Sequence, residues 1–254
     1  GSMTAEMVDH KFLQKGGLIF RLLARLERFI DHRADAILTS SNQAQTILQG
    51  AFLVPPERIH ALPDCVDLKR FNPALASVEA KQRLRAHLQI PEERPIVAYL
   101  GLLTDYQGIP HLLHAAKILK ESGRPVQFLI MGFPNVDHYM GMARHLEVDD
   151  CVTLTGKIPY NEAPYWLSVG DIAVSAKVSA TEGSGKLLNY MALAMPIVAY
   201  DTPVHREYLA ETGIYVPPHD VQGFAEAIGR LAADASKRQE MGQRVYKRVA
   251  ETFT

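Results

Sequence analysis

The chain of 254 residues is poor in cysteine, in net charge and in long apolar runs, and each absence excludes a class of protein. Its two cysteines, Cys65 and Cys151, provide neither a disulfide framework nor paired metal-ligand spacing. The formal net charge of −1 supplies no global positive field, which argues against a nucleic-acid partner. No apolar run reaches membrane-spanning length and no secretory signal is found, so we expect a protein of a reducing compartment, the cytoplasm.

What is present is the composition of a folded, globular protein. Hydrophobic residues make up 47% and charged residues 22%, close to average values, and the length suffices for one large or two modest domains. No tandem repeat or low-complexity tract interrupts the chain. Residues 1–3, Gly-Ser-Met, have the pattern of a cloning scar followed by a start methionine, and we leave them out of the fold argument.

From about residue 95 onward, short apolar runs alternate with segments of helical periodicity. Near-continuous apolar strands that alternate with helices are typical of a parallel sheet covered on both faces. With right-handed crossovers, the pattern predicts a doubly wound, Rossmann-like α/β fold. The predicted strands are 95–101, 126–132, 152–156, 172–175, 196–200 and 213–216.

Ligands of such sheets bind beyond the carboxyl ends of the strands, which draws attention to the loop that follows the predicted strand 172–175. In this loop Glu182 precedes a helix predicted to open near Ser184. Lys186 falls in the first turn, and Asn189 follows three residues later on the same helix face. A carboxylate, an ammonium and an amide around one helix start suit a phosphorylated, hydroxyl-rich ligand. The alternative is a solvated lysine beside a glycine-rich turn.

The first 70 residues have a different pattern. A helix at 17–30 carries arginines along its length, which is compatible with an anionic membrane surface, but packing on a neighbouring sheet is the favoured interpretation. A strand at 34–40 leads to a helix capped by Ser41 or Asn42, and an extended run follows at 58–63. Two strands do not make a stable sheet alone. This segment therefore resembles the tail of a larger domain, or an arm that leans on the second one.

Five motifs follow one another along the chain: Pro63-Asp-Cys-Val-Asp67, Tyr99-Leu-Gly101, Ile130-Met-Gly132, Val152-Thr-Leu-Thr-Gly156 and Lys186-Leu-Leu-Asn-Tyr-Met-Ala192. Their order resembles that of family-four retaining glycosyltransferases of the two-Rossmann (GT-B) type. In that family the C-terminal domain binds a nucleotide-sugar donor and the N-terminal domain binds the acceptor. The resemblance implies that residues 4–73 are the last part of an acceptor-side domain and that 74–254 form the donor domain.

The loop after the first strand departs from the family pattern. The family has a Gly-Arg pair and then Lys-Gly, and its Arg and Lys grip the donor diphosphate. Gly101 and Gly108 match the two glycines, but Leu102 stands in place of the Arg and Gln107 in place of the Lys. Both cations that the resemblance implies are therefore missing from this loop. The departure is compatible with a divergent subfamily and with a loss of activity.

The resemblance also implies roles for the later loop. Glu182 stands for a glutamate near the transferred sugar, and Asn189 takes the place of a second glutamate on the ribose hydroxyls. Lys177 and Lys186 replace the lost cations, as in some branches of the family, and stabilise charge on the leaving diphosphate. Gly185 lies at the start of the same helix.

Gly156 and Ile158 match the loop where backbone groups of the family meet the nucleobase. We expect no cofactor other than the nucleotide-diphosphate sugar, which is a substrate. No metal is expected either, because no carboxylate cluster with hard-cation spacing is visible near these loops.

Other residues suggest chemistry less strongly. His111 and His114 are expected at the surface of a helix, whereas His205 follows a strand end and is a minor candidate for ligand contact. Cys65 is expected to be an inert thiol, buried or partly exposed. Tyr165-Trp166 has helical spacing from Leu167 and is expected in the core.

Three rival functions remain. A dinucleotide oxidoreductase fits the sheet, but Gly101 and Gly108 are too far apart for its glycine fingerprint. A non-catalytic nucleotide-binding or interaction module derived from a transferase is plausible, since most of the acceptor domain is absent. A nucleotide-sugar epimerase of the same build is less favoured. An exposed apolar flank in the first segment would predict self-association or a missing N-terminal domain.

Overall fold

The computed structural model describes residues 2–9, 12–124, 126–178 and 183–254, and its strands form two parallel sheets. One sheet has two strands, and the other has six in the order β5-β4-β3-β6-β7-β8. The strands are β1 (Ile37–Thr39), β2 (Ile59–Ala61), β3 (Ile96–Leu102), β4 (Gln127–Phe133), β5 (Val152–Gly156), β6 (Ile172–Ser175), β7 (Ile197–Tyr200) and β8 (Ile214–Val216).

Helices connect the strands of the larger sheet and complete the α/β alternation that the sequence predicts. The α-helices of the described ranges are α1 (Met3–Asp9), α2 (Leu18–Arg33), α3 (Asn42–Gly50), α4 (Val78–His87), α5 (Ile109–Glu121), α6 (Val136–His145), α7 (Ala163–Leu167), α8 (Lys186–Ala192), α9 (Pro203–Leu209), α10 (Val221–Ala233) and α11 (Ala235–Thr252).

The six predicted strands of the larger sheet are confirmed to within one residue at either end. They are apolar almost throughout because both faces of the sheet are covered. Tyr99 and Phe128 pack in one core, which includes residues of α5 and α10. The alternate residues Ala98 and Leu129 pack in the other, which includes residues of α8 and α11. This arrangement confirms the doubly wound fold.

The sheet changes its winding direction between β3 and β6. From β3 the chain moves outward through β4 and β5, and from β6 it moves the opposite way through β7 and β8. The crevice at such a switch point, beyond the carboxyl ends of the strands, is where open α/β sheets bind ligands. The loops after β3 and β6 flank this crevice, and together with the start of α8 they contain most of the site residues expected from the sequence.

The first segment consists of α2, α3 and the two-stranded sheet, and it encloses a small core of Leu48, Phe52, Val54 and Ile59. The favoured interpretation of α2, packing on a neighbouring sheet, is wrong for most of its apolar face. Six large apolar side chains of this helix are 48–85% exposed, because the two-stranded sheet does not reach them. They are Leu18, Ile19, Leu22, Leu26, Phe29 and Ile30.

The first segment also contacts the end of α11, where the Val66 N–H donates to the Phe253 carbonyl at 2.9 Å. The division between the two domains at residues 73 and 74 stays a prediction. No helix in the described ranges combines the length and apolarity needed to cross a bilayer.

Candidate functional site

The loop from β3 to α5 is held tightly against the end of β6. It makes a 3₁₀ turn at Asp105–Gln107 and then reverses through Gly108, which has a φ of +83°. A Cβ added to Gly108 would lie 2.3 Å from the Ala176 carbonyl oxygen, so only glycine fits both the backbone angle and the space. The close approach aims the buried side chain of Gln107 toward the crevice.

Lys186 and Gln107 meet in this crevice. The Lys186 ammonium donates to the Gln107 Oε1 at 2.6 Å and lies 3.5 Å from the Tyr99 hydroxyl. It also lies 4.6 Å from the centroid of the Tyr99 ring, a cation–π distance. The structure therefore places a lysine from α8 beside the loop position where the family carries one. The sequence did not indicate that Tyr99 contacts Lys186, because a tyrosine in a buried strand is expected to be a core residue.

Lys177 is deeply buried, with 2% of its surface exposed, and its ammonium donates to the Gly183 carbonyl at 3.0 Å. This contact joins the two ends of the loop between β6 and α8. Glu182, the expected sugar contact, lies outside the described residues.

Helix α8 begins at Lys186, two residues later than expected, with Gly185 as its N-cap. Asn189 is buried one turn further along the same helix. Lys186 and Asn189 therefore lie three residues apart in one helix and share a helix face, as their spacing predicts.

Three neighbouring strands have a glycine at their last residue or at the one before it. Gly101 of β3 pairs with Gly132 of β4, and Met131 pairs with Gly156 of β5. A Cβ on Gly132 would lie 1.8 Å from the Gly101 carbonyl oxygen, whereas Gly156, with φ +77°, has open space around it. Gly132 therefore fits where a residue with a side chain would clash, and of the three glycines only Gly156 is surrounded by open space. Ile158 follows Gly156 and packs against the core on the α8 side.

Residues of the first segment reach the same edge. The Tyr208 hydroxyl donates to the Asp64 Oδ2 at 3.0 Å, and a Cβ on Gly185 would lie 3.1 Å from that oxygen. The Glu207 carboxylate accepts hydrogen bonds from the backbone N–H and the side-chain amide of Asn42, both at 2.8 Å. Ser41, one of the two expected caps of α3, is confirmed as its N-cap. The crevice is thus bounded by both parts of the chain.

His205 lies beneath the crevice, and only 1% of its surface is exposed. Its Nδ1–H donates to the Tyr200 carbonyl at 2.7 Å, and its Nε2 accepts from the Ser175 hydroxyl at 3.0 Å. Burial lowers the pKa of His205 to about 4, and the nearby Lys186 and Lys177 charges act in the same direction. The imidazole is therefore neutral and positions the ends of β6 and β7.

We expect this histidine to make stability depend on pH. In the unfolded chain the His205 imidazole is protonated below about pH 6.5, whereas in the folded chain it is protonated only below about pH 4. The free energy of unfolding therefore falls as the pH drops through this interval. The full loss is about 3 kcal/mol. Urea unfolding at several pH values should show that the free energy of unfolding depends less steeply on pH in His205→Asn than in the wild type. The exposed His114→Asn serves as the control and should keep the wild-type slope, and equal slopes for all three proteins would contradict the assignment.

Several expectations for other residues need correction. His114 is exposed as expected, but His111 is only half exposed, because its Nδ1 bonds the Tyr200 hydroxyl at 3.0 Å. Tyr165 is not a core residue: it is 39% exposed, and its hydroxyl donates to the Ala80 carbonyl at 3.3 Å. Trp166 is half buried against the core. Cys65 is exposed rather than buried.

Two further observations concern the chemistry available. Among the described residues, no group of three or more His, Cys, Asp or Glu side chains is arranged to hold a metal ion. Burial raises the pKa of the Cys151 thiol to about 11, so this cysteine is not a nucleophile near neutral pH.

A comparison with known families agrees with this geometry. The family model described as "Glycosyl transferases group 1" matches residues 80–248, which include the larger sheet and the loops that follow its strands. The chain belongs to this family. It is 30% identical over 224 residues to an α-D-kanosaminyltransferase of Streptomyces kanamyceticus. That match covers 85% of this chain and 56% of the relative, so the chain spans about half the relative's length.

Solved structures show the same fold at lower identity. Sucrose-phosphate synthase from Thermosynechococcus elongatus superposes with a TM-score of 0.77 at 24% identity, covering 92% of this chain and 58% of that one. Anabaena Alr3699/HepE, solved in complex with UDP and glucose, gives a TM-score of 0.80 at 16% identity, covering 92% and 63%. These neighbours are GT-B glycosyltransferases, which agrees with the fold class expected from the sequence.

Proposed function

We propose that this glycosyltransferase chain is mainly the donor-binding half of a retaining enzyme that transfers a hexosyl group from a nucleotide-diphosphate sugar. The observation that carries the proposal is the Lys186–Gln107 contact of 2.6 Å at the switch point of the sheet. The loop after β3 has lost both cations of the family pattern, and a lysine from α8 reaches the same place. A cation is thereby available where the leaving diphosphate develops charge.

The remaining roles follow from the surroundings of Lys186. We assign Asn189 to the ribose hydroxyls, which its side-chain amide can bond, and Lys177 to the diphosphate as a second cation beside Lys186. Glu182 is proposed to orient the transferred sugar. Cations and backbone N–H groups stabilise the leaving group as the glycosidic bond loosens, so no metal is required by this mechanism.

The acceptor and its binding site are not assigned. Residues Asp64 and Asn42 of the first segment border the crevice, which is where an acceptor-side domain would meet the donor. A non-catalytic nucleotide-binding or interaction module is the second candidate, and the exposed apolar face of α2 supports an interaction role because soluble proteins seldom expose so large an apolar patch without a partner.

The test is a thermal-shift screen against UDP, GDP, ADP, their common sugar conjugates and NAD. A ligand present at a hundred times its dissociation constant should add about 2.7 kcal/mol of stability. We expect a shift with one nucleoside diphosphate and with its sugar conjugate. Cleavage of that conjugate, followed by NMR of the released sugar, then separates an enzyme from a binding module.

The other outcomes are equally informative. A response to NAD alone would overturn the proposal in favour of an oxidoreductase. No response to any compound of the panel would contradict the proposal that Lys186 replaces the missing cations of the β3 loop.

A further inference from the structure

The Tyr99 side chain runs along β3 toward the carboxyl edge of the larger sheet. Tyr99 is fully buried in the core that includes residues of α5 and α10, and its hydroxyl donates to the Leu102 carbonyl at 2.8 Å. Residues two apart on a strand lie on the same face, so the phenol passes over Gly101 on its way to that carbonyl. A Cβ added to Gly101 would lie 2.9 Å from the Tyr99 hydroxyl oxygen. The hydroxyl therefore keeps this position because residue 101 has no side chain.

Lys186 approaches this phenol from α8, which packs on the opposite face of the sheet. Its neighbours Leu187 and Leu188 are buried in the core that includes residues of α11, whereas its ammonium lies 4.6 Å from the Tyr99 ring centroid. The first turn of a helix is an unfavourable place for a cation, because the macrodipole is positive there. The position of the Lys186 ammonium is therefore expected to depend on groups outside α8.

Tyr99 offers the ammonium two kinds of contact. The face of an aromatic ring attracts a cation within about 6 Å of its centroid, and the Lys186 ammonium is inside this range. The Tyr99 hydroxyl lies 3.5 Å from the ammonium, and because its one proton is donated to the Leu102 carbonyl, its oxygen acts toward Lys186 as an acceptor. With the Gln107 hydrogen bond of 2.6 Å, these contacts come from β3 and the loop that follows it.

We propose that Tyr99 is a positioning residue of the donor site, which holds the Lys186 ammonium in the crevice before the nucleotide arrives, and that Gly101 leaves the space that this requires. The role of Lys186 rests on the proposed function, whereas its coupling to Tyr99 is a property of the chain alone. A cation that is already in place loses less conformational freedom when the diphosphate binds, and it needs no rearrangement as charge develops. Tyr99 therefore acts on the ligand through Lys186.

A double-mutant cycle tests whether Tyr99 acts through Lys186. Titration calorimetry with UDP, GDP and ADP is performed on the wild type, Tyr99→Leu, Lys186→Met and the double variant. Tyr99→Leu removes both the ring and the hydroxyl and should weaken binding by roughly tenfold. In the Lys186→Met background the same substitution should change the affinity by less than about twofold, because the lysine through which it acts is gone. Tyr99→Phe retains the ring and should lose only about a few-fold.

The same cycle can be measured without nucleotide. Substitutions of two side chains in contact are not additive, so in urea the double variant should lose less stability than the sum of the two single losses. Protons that lie over an aromatic ring are shifted upfield by its ring current. The NMR signal of the Lys186 ε-methylene should therefore move downfield in Tyr99→Leu and stay nearly in place in Tyr99→Phe.

Gly101→Ala tests the space over which the phenol passes. The added methyl group should displace the Tyr99 hydroxyl, lower the stability and weaken nucleotide binding. Adding Tyr99→Phe to this variant should recover part of the stability, because the crowded oxygen is absent.

Tyr215 of β8, at the far edge of the sheet, is a matched control. The Arg206 guanidinium lies 3.7 Å from its ring centroid, and its hydroxyl donates to the Ala210 carbonyl at 2.5 Å. Tyr215→Leu and Tyr215→Phe remove the same two kinds of contact from a different cation. Neither should change any nucleotide affinity.

The outcomes separate this inference from the proposed function. If Lys186→Met weakens nucleotide binding and Tyr99→Leu weakens it by the same factor in both backgrounds, Tyr99 is a core residue only and the donor site stands. Additive stability losses would also overturn the positioning role. If the wild type binds no nucleotide, the proposed function fails, and the urea cycle alone decides whether Tyr99 holds Lys186. If Tyr99→Leu does not fold, the cycle with Tyr99→Phe decides in the same way.

Discussion

Replacing Lys186 by methionine is expected to slow cleavage of the nucleotide-sugar donor by at least about a hundredfold, the effect of removing one pre-positioned donor from a developing negative charge. The affinity for the nucleoside diphosphate should fall by about tenfold or more, because a charge-assisted hydrogen bond is lost. The effect should be large because both cations of the usual β3 loop are absent: Leu102 and Gln107 carry no charge that takes over.

The measurements are titration calorimetry with the nucleotide from the screen and release of free sugar from its conjugate. Lys186→Arg keeps the charge and should recover part of both losses, whereas Lys237→Met removes an exposed lysine that pairs with Glu240 at 3.0 Å and should change neither. Unchanged nucleotide affinity in Lys186→Met, with the melting temperature preserved, would remove the basis of the proposed function.

Much of the fold was predictable from the sequence because its signals are local. Apolar runs ending in Gly, Pro or polar residues located all six strands of the larger sheet. The same rule misjudged α2, since periodicity shows that a helix has an apolar face but not whether another element covers it. The exposure of Leu18 and Leu22 depends on which elements pack against α2, and that is not a local property of the sequence.

The site was only partly predictable, because its contacts join distant parts of the chain. The spacing of Lys186 and Asn189 on one helix is a local property and is reproduced in α8. The contact of Lys186 with Gln107 joins residues 79 positions apart, and no local pattern indicates it. Asp64 was visible as part of a motif, but its approach to Gly185 depends on how the first segment packs against the larger sheet.

Gly108→Ala is expected to be among the most destabilising single substitutions in the chain. It places a Cβ 2.3 Å from the Ala176 carbonyl oxygen and 2.5 Å from the Ala176 Cβ, at a backbone φ of +83°. Forced overpacking costs about 1–3 kcal/mol, and a left-handed conformation costs an alanine roughly 1–2 kcal/mol more than a glycine. The free energy of unfolding should therefore fall by about 2–5 kcal/mol in urea. Nucleotide binding should weaken too, because the β3 and β6 loops must move apart.

Substitutions at two other glycines separate the cost of crowding from the cost of the left-handed backbone angle. Gly156→Ala meets open space at a φ of +77°, so it should show the cost of the backbone angle without crowding, about 1–2 kcal/mol. Gly141→Ala, inside α6 and also in open space, should stabilise the chain by up to about 1 kcal/mol, because alanine is the better helix former. If Gly108→Ala costs no more than Gly156→Ala, the β3 and β6 loops are not held together by close packing. The crevice that positions Gln107 against Lys186 would then have to be maintained by the hydrogen bond alone.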